Sequence, residues 1–245
     1  MFFILFFSIF FIASCDADSD LESSLGDHKI ELIGVHDIDV PEPSGLTLHR
    51  DTLWTVSDDT GNIYKLDLQG NTREIITVNG DDPEGVAYDP TDYTLWLVEE
   101  RTREIVHADQ SGSIIERHEI EISGSGNRGF EGVCMDDDHN FYILNEKDPS
   151  LFISLTHDFS ISEQITLDFN QDYSGLCYDR GRNAFWIVSD ESQTICLWSP
   201  KNGLLSELIP LSFRKAEGVA YDPINDKIYI VSDSEEKLYV YEYQH

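Results

Sequence analysis

From about residue 43 onward, short apolar runs alternate with polar turns. Runs such as LWTVS, LWLVE, FWIVS and IYIVS are rich in β-branched and aromatic side chains, and groups such as DLQGN and SPKNG separate them. This is the pattern of strands joined by tight turns. No stretch sustains a 3.6-residue apolar period, so almost no helix is expected.

The runs recur as a unit. PSGLTLH begins at Pro43, PEGVAYD at Pro83, FEGVCMD at Phe130, YSGLCYD at Tyr173 and AEGVAYD at Ala216. The residue before each glycine is Ser44, Glu84, Glu131, Ser174 or Glu217, at spacings of 40, 47, 43 and 43 residues. A second run follows each opening and ends in an acid: Asp58, Glu100, Glu146, Asp190 and Asp233. Third runs are IYKLDL, EIVHAD, LFISLT, ICLWSP and LYVYEY, and most units add a fourth, such as REIITV. Four strands in a unit of this length are the signature of a propeller blade. The fold expected is therefore all-β, a five-bladed β-propeller over residues 28–245. The fifth unit stops after its third run, and the strand-like KIELIGVHDIDV precedes the first unit. Lys29–Val40 is expected to supply the missing strand and close the ring without an open edge. Six blades are the alternative, and they need a unit that the repeats do not reveal.

The first fifteen residues differ from this pattern. Met1–Cys15 carry no charged side chain, and Phe2–Ile12 are apolar apart from Ser8. Such a run is too short for a typical spanning helix but suits the apolar region of an export signal. Ile-Ala-Ser-Cys at residues 12–15 resembles a bacterial lipobox, which makes Cys15 the expected lipidation site; the alternative is an ordinary signal peptide with a chance cysteine. Residues 16–27 are polar and acidic and read as a flexible tether. The expected location is the cell envelope, as a membrane-anchored lipoprotein on the periplasmic or cell-surface side. Cys134, Cys177 and Cys196 show no zinc spacing, and the first two occupy equivalent small-residue positions of the repeat. Buried free thiols are expected for these three.

Composition sharpens the choice of partners. The chain has 245 residues, with 16 basic and 47 acidic side chains and a net charge of -31, and 40% of its residues are hydrophobic. That is enough apolar material for a core. Without a basic patch, nucleic acid and anionic lipid headgroups are poor partners. Most of the acids read as solvated surface that keeps the protein soluble and monomeric.

A subset reads differently. In a blade the first strand lines the channel and the second returns antiparallel to it. The residue opening the first strand and the acid ending the second therefore meet at one mouth of the channel. The openings are Ser44, Glu84, Glu131, Ser174 and Glu217; the ends are Asp58, Glu100, Glu146, Asp190 and Asp233. The residue before each end, Ser57, Glu99, Asn145, Ser189 or Ser232, can also donate or accept hydrogen bonds. Close like charges need a cation or hydrogen-bond donors. Oxygen-only ligands favour Ca²⁺ over zinc or copper. The candidate metal ligands are Glu84, Glu131, Glu217, Asp58, Glu100, Asn145, Asp190 and Asp233, with Ser44 and Ser174 at the mouth. The plainer reading has these groups bonding backbone amides between blades. None of the eight histidines occupies a mouth position, which argues against a histidine base there. Trp54, Trp96, Tyr142, Trp186 and Tyr229 recur with the repeat and are expected to pack blade against blade rather than to form a sugar or cofactor platform.

Together, PSGLT, LWTVSDDTGNIYKLDLQG, PEGVAYD, VEE and AEGVAYD resemble the SdiA-regulated domain family of bacterial envelope proteins, over essentially residues 29–245. The resemblance implies a propeller on an exported or membrane-anchored protein and a calcium ion in the channel. The Glu-Gly openings also look like those of calcium-dependent lactonase and gluconolactonase propellers. By that likeness Glu84, Glu131 and Glu217 correspond to a metal-ligating glutamate at the start of an inner strand. Two functions are then expected in order: a binding or scaffold module for a small molecule or envelope protein, and, second, a metal-dependent hydrolase of lactones, esters or phosphoesters. No individual catalytic residue is assigned.

Overall fold

The computed structural model describes residues 28–78, 80, 82–122 and 128–244. The expected export segment with Cys15 and the expected tether of residues 16–27 lie outside the described residues. Among the described residues there is no helix, and so none long and apolar enough to cross a membrane.

The strands form five antiparallel sheets. β1 (Lys29–Asp37) belongs to the last of them. Blade 1 holds β2 (Pro43–His49), β3 (Thr52–Ser57), β4 (Asn62–Leu66) and β5 (Thr72–Thr77). Blade 2 holds β6 (Pro83–Asp89), β7 (Thr94–Glu99), β8 (Glu104–Ala108) and β9 (Ile114–Glu119). Blade 3 holds β10 (Phe130–Met135), β11 (Phe141–Asn145), β12 (Leu151–Leu155) and β13 (Ile161–Thr166). Blade 4 holds β14 (Gly175–Asp179), β15 (Ala184–Ser189) and β16 (Thr194–Ser199), and its outer strand is split into β17 (Gly203–Leu204) and β18 (Ile209–Pro210). In the gap, Ser206 Oγ accepts the Leu197 N–H and donates to the Glu207 carbonyl, so the interrupted ladder keeps its partners. Blade 5 holds β19 (Ala216–Asp222), β20 (Lys227–Ser232) and β21 (Lys237–Gln244).

β1 pairs antiparallel with β21, from Lys29 opposite Gln244 to Asp37 opposite Lys237. The N-terminal strand thus completes the last blade as expected, and the molecule is a five-bladed β-propeller. The inner strands contact one another in the cyclic order β2, β6, β10, β14, β19 and back to β2.

Both faces of each middle strand are buried, which explains why these strands read as continuous apolar runs. In β3, Trp54 and Val56 join the cluster shared with blade 2, while Leu53 joins the cluster shared with blade 5. There are five such clusters, one at each junction between blades. The recurring aromatics fill them. Trp54 stacks on Tyr88 of blade 2 at 5.3 Å, Trp96 meets Phe141 of blade 3 edge-on at 4.7 Å, and Tyr142 meets Phe185 of blade 4 at 4.8 Å. Trp186 lies 6.1 Å from Tyr221 of blade 5, and Tyr229 packs in the junction with blade 1. Aromatic pairs of this kind add about 0.5–1.5 kcal/mol beyond their area burial. The three described cysteines are free; Cys134 and Cys196 are buried and Cys177 is half-buried. Burial pushes all three thiols up, which makes them unreactive.

The axis is built from glycine. A Cβ on Gly45 would lie 2.7 Å from Gly85 Cα, and one on Gly85 would lie 2.9 Å from the Glu131 carbonyl oxygen. On Gly132 it would strike Leu176 at 2.7 Å, on Gly175 the Glu217 carbonyl oxygen at 2.2 Å, and on Gly218 the Gly45 carbonyl carbon at 2.6 Å. Each inner strand therefore presses on the next through a residue that has no room for a side chain. Gly175→Ala is expected to destabilise the fold by about 1–3 kcal/mol, as overpacking typically does. Gly181→Ala, whose new Cβ would come no closer than 3.4 Å to Asp179 Oδ1, should change stability by less than about 0.5 kcal/mol. Urea denaturation of the two variants checks the difference.

Candidate functional site

The residue before each axial glycine points where it does because the strand is irregular there. The ladder between first and second strands shifts register between Pro43 and Leu46, Pro83 and Gly85, Phe130 and Gly132, and Ala216 and Gly218. A bulge leaves its extra residue unpaired and re-aims its side chain. This turns Ser44, Glu84, Glu131 and Glu217 toward the channel mouth. In blade 4 the paired ladder begins only at Gly175, opposite Val188. There the Ser174 N–H donates to the Val188 carbonyl at 3.1 Å, and Ser174 Oγ donates to the Ala216 carbonyl at 2.6 Å, tying blade 4 to blade 5.

The acids ending the second strands are held by their own backbone. The N–H groups of Asp58, Glu100, Glu146 and Asp233 donate to the carbonyls of Glu42, Asp82, Gly129 and Lys215. Those four acceptors share one repeat position, two residues before the opening of the first strand; in blade 4 it is Asp172. Sequence reasoning missed this position. Its signal was an acid at Glu42, Asp82 and Asp172, with Gly129 and Lys215 as exceptions. Glycine is required in blade 3, because a Cβ on Gly129 would lie 2.1 Å from the Glu100 carbonyl oxygen.

The openings and ends converge on one cavity of about 160 Å³. It is lined by Glu42, Asp58, Glu84, Glu100, Glu131, Glu146, Asp172, Asp190, Glu217 and Asp233, with Ser44, Ser174 and Lys215. Of the expected ligands, only Asn145 is absent from this lining. Its amide donates to the Pro149 carbonyl at 2.7 Å and the Arg128 carbonyl at 3.2 Å. The whole position preceding the terminal acids works in this way. Ser57 and Ser232 cap the following turns, Ser189 holds Asp172, and Glu99 takes the Arg117 guanidinium at 2.8 Å. A wider cleft of about 470 Å³ beside Asn140, Tyr142, Arg182 and Lys201 is larger, but none of the carboxylate groups able to share an ion falls there among the described residues.

Within the ring, Asp58, Asp82 and Glu84 bring oxygens within 4.8 Å of one another, as do Glu100, Glu131 and Glu146. Ligand oxygens at 2.3–2.6 Å from one Ca²⁺ span up to about 5 Å, so each trio can share one ion. The electrostatics match this crowding. Burial, reinforced by the hydrogen bond and charge of Asp82, pushes Asp58 up to about 6. Burial raises Glu84 well above the usual carboxylate range, with the Asp58 charge adding to it. Glu131 rises for the same reason, with the charges of Glu84 and Glu217 next in weight. Burial also pushes Glu217 up to about 8, against the opposing pull of the Lys215 ammonium. Desolvation alone would lower Lys215, but the charges of Glu217 and Asp190 outweigh it and raise it.

A carboxyl that keeps its proton when folded and loses it when unfolded makes folding weaker as pH rises. For Glu217 that window runs from its ordinary value of 4.5 to about 8. In chelator, stability is therefore expected to be fullest below this window and to fall through it. Glu217→Gln should flatten the slope. Thermal unfolding of both proteins from pH 4.5 to 8 measures it, and equal slopes would contradict the buried-carboxyl account.

The same architecture occurs in solved structures. Glutaminyl cyclase of Myxococcus xanthus superposes with a TM-score of 0.70 at 13% identity, covering 88% of this chain and 96% of the other. A gluconolactonase of Xanthomonas campestris gives 0.59 at 14% identity, covering 92% and 93%. A streptogramin B lyase gives 0.52 at 16% identity, covering 86% and 72%. At these identities the likeness is one of fold. A sequence-family model described as SdiA-regulated matches residues 25–242, a span that includes every blade and the whole acidic ring, and the chain belongs to the SdiA-regulated family.

Proposed function

We propose that the channel mouth binds a divalent cation, Ca²⁺ by donor chemistry, and that the propeller serves as a binding module in the cell envelope. The observation that carries this reading is the composition of the cavity wall: ten carboxylates, two serines and a single lysine around about 160 Å³. Carboxylates this close repel and are costly to bury, and a hard divalent cation with oxygen ligands offsets that cost. Glu84 with Asp58 and Asp82, or Glu131 with Glu100 and Glu146, would supply its ligands. The cation would then present open coordination positions to an acidic small molecule or to an envelope protein. Lipidation at Cys15 would hold the propeller at a membrane through residues 16–27.

Purified protein stripped with EDTA should gain stability on adding Ca²⁺. At about 100 times the dissociation constant the gain is about 2.7 kcal/mol, or roughly 5–10 °C in melting temperature for a chain of this size. Glu84→Gln and Glu131→Gln should each remove most of that shift. An unchanged melting temperature together with no co-purified metal would end the ion-site reading.

A second reading is a metal-dependent hydrolase. It is favoured by Glu217, pushed up to about 8 and so able to hold a proton at neutral pH within a ring of carboxylates, which is how enzymes prepare an acid and a base in one site. A solved gluconolactonase also shares the fold, although propellers host many functions. A bound divalent cation would supply Lewis acidity, and a neighbouring carboxylate would take a proton from water. A panel of lactones, aryl esters and phosphoesters decides between the readings. The binding module predicts no turnover above background. Hydrolysis that disappears in Glu84→Gln, Glu131→Gln and Glu217→Gln would reverse the preference.

A further inference from the structure

The ring is uneven around the axis. In blades 4 and 5 the acids are served by the protein's own donors. The Lys215 ammonium lies 3.1 Å from Asp190 Oδ2 and 3.5 Å from Glu217 Oε1, and its backbone N–H donates to Asp190 Oδ1 at 2.9 Å. Asp172 accepts the Ser189 hydroxyl and the Glu191 N–H. The opposite half contains both carboxylate trios. There, no hydrogen-bond donor reaches the Glu131 carboxylate among the described residues. Ser44, only 3% exposed, lines the same cavity; its Oγ faces the Glu84 carboxylate and partly opposes the rise that burial causes there, but the contact falls short of full hydrogen-bonding geometry. The cations near this half, Arg101 and Lys147, pair with Asp82 and Glu146 but are not part of the cavity wall.

We propose that Lys215 is a built-in cation that fills one half of the ring, so that the divalent cation binds only in the other half, against the trios around Glu84 and Glu131. This rests on the cation reading of the preceding section and assigns the ion its place. Lysine suits the role, because it is a compact point charge with three donors on a flexible stem, and here it serves Asp190 and Glu217 together. The Lys215 side chain is 46% exposed, but two cations that share one small cavity still repel, so the ammonium disfavours a divalent ion beside blades 4 and 5. Removing the ammonium leaves Asp190, Glu217 and Asp233 without a counterion and should open a second divalent position.

Calorimetric titration of EDTA-stripped protein with Ca²⁺, with metal content measured on the dialysed product, tests this. Lys215→Met is expected to bind one more equivalent than the wild type, Lys215→Arg the same number, and Lys215→Met combined with Glu217→Gln to lose the added equivalent. Should the Met variant unfold when stripped, Lys215→Gln, which retains a donor for Asp190, is read in the same way. An unchanged number and affinity in the neutral variants, with the wild type still binding Ca²⁺, would overturn the role of Lys215 alone. No binding by any of the proteins would overturn the cation reading itself.

Discussion

Everything at the channel mouth follows from one steric constraint, the contact of five glycines around the axis. Gly45, Gly85, Gly132, Gly175 and Gly218 each stand where a Cβ would collide with the next inner strand. Close approach at these points brings the blades near enough for their middle strands to share apolar clusters on both faces. It also decides where the preceding residue goes. The bulge that admits the glycine frees the residue before it from the ladder, and in three blades that residue is a glutamate. Packing and chemistry therefore share one cause, because the contact that closes the ring also aims the carboxylates.

The cost of this arrangement is electrostatic. Burial and mutual repulsion raise Asp58, Glu84, Glu131 and Glu217 together, which marks a cavity short of positive charge. The protein supplies part of it through Lys215 inside the cavity, and through Lys147 and Arg101 beside it. The rest must come from protons or from a cation. The remaining carboxylates of a chain with a net charge of -31 have solvent to meet that need, and such charges act mainly on solubility.

The closure by the N-terminal strand followed from the fifth unit stopping one strand short, and the blade count and the packing role of the aromatics were legible in the sequence, because each recurs with the repeat. The openings at Glu84, Glu131 and Glu217 were legible for the same reason. What the period concealed were the exceptions. The position two residues before each opening has an acid in three blades, but Gly129 and Lys215 break the pattern, so the repeat does not announce the only cavity lysine among the described residues. Asn145 is adjacent to a mouth acid in sequence, but a β-strand turns successive side chains to opposite faces and sends this amide onto the carbonyls of residues 128 and 149. The split outer strand of blade 4 depends on Ser206 taking over a ladder position, which no short run of residues announces.

Anomalous diffraction from crystals grown with a calcium substitute such as a lanthanide tests the central claim most directly. The account predicts a strong peak at the channel mouth, within coordination distance of Glu84 or Glu131, with Lys215 still between Asp190 and Glu217. A mouth without a peak, in which the same glutamates hydrogen-bond one another as protonated pairs, would contradict it.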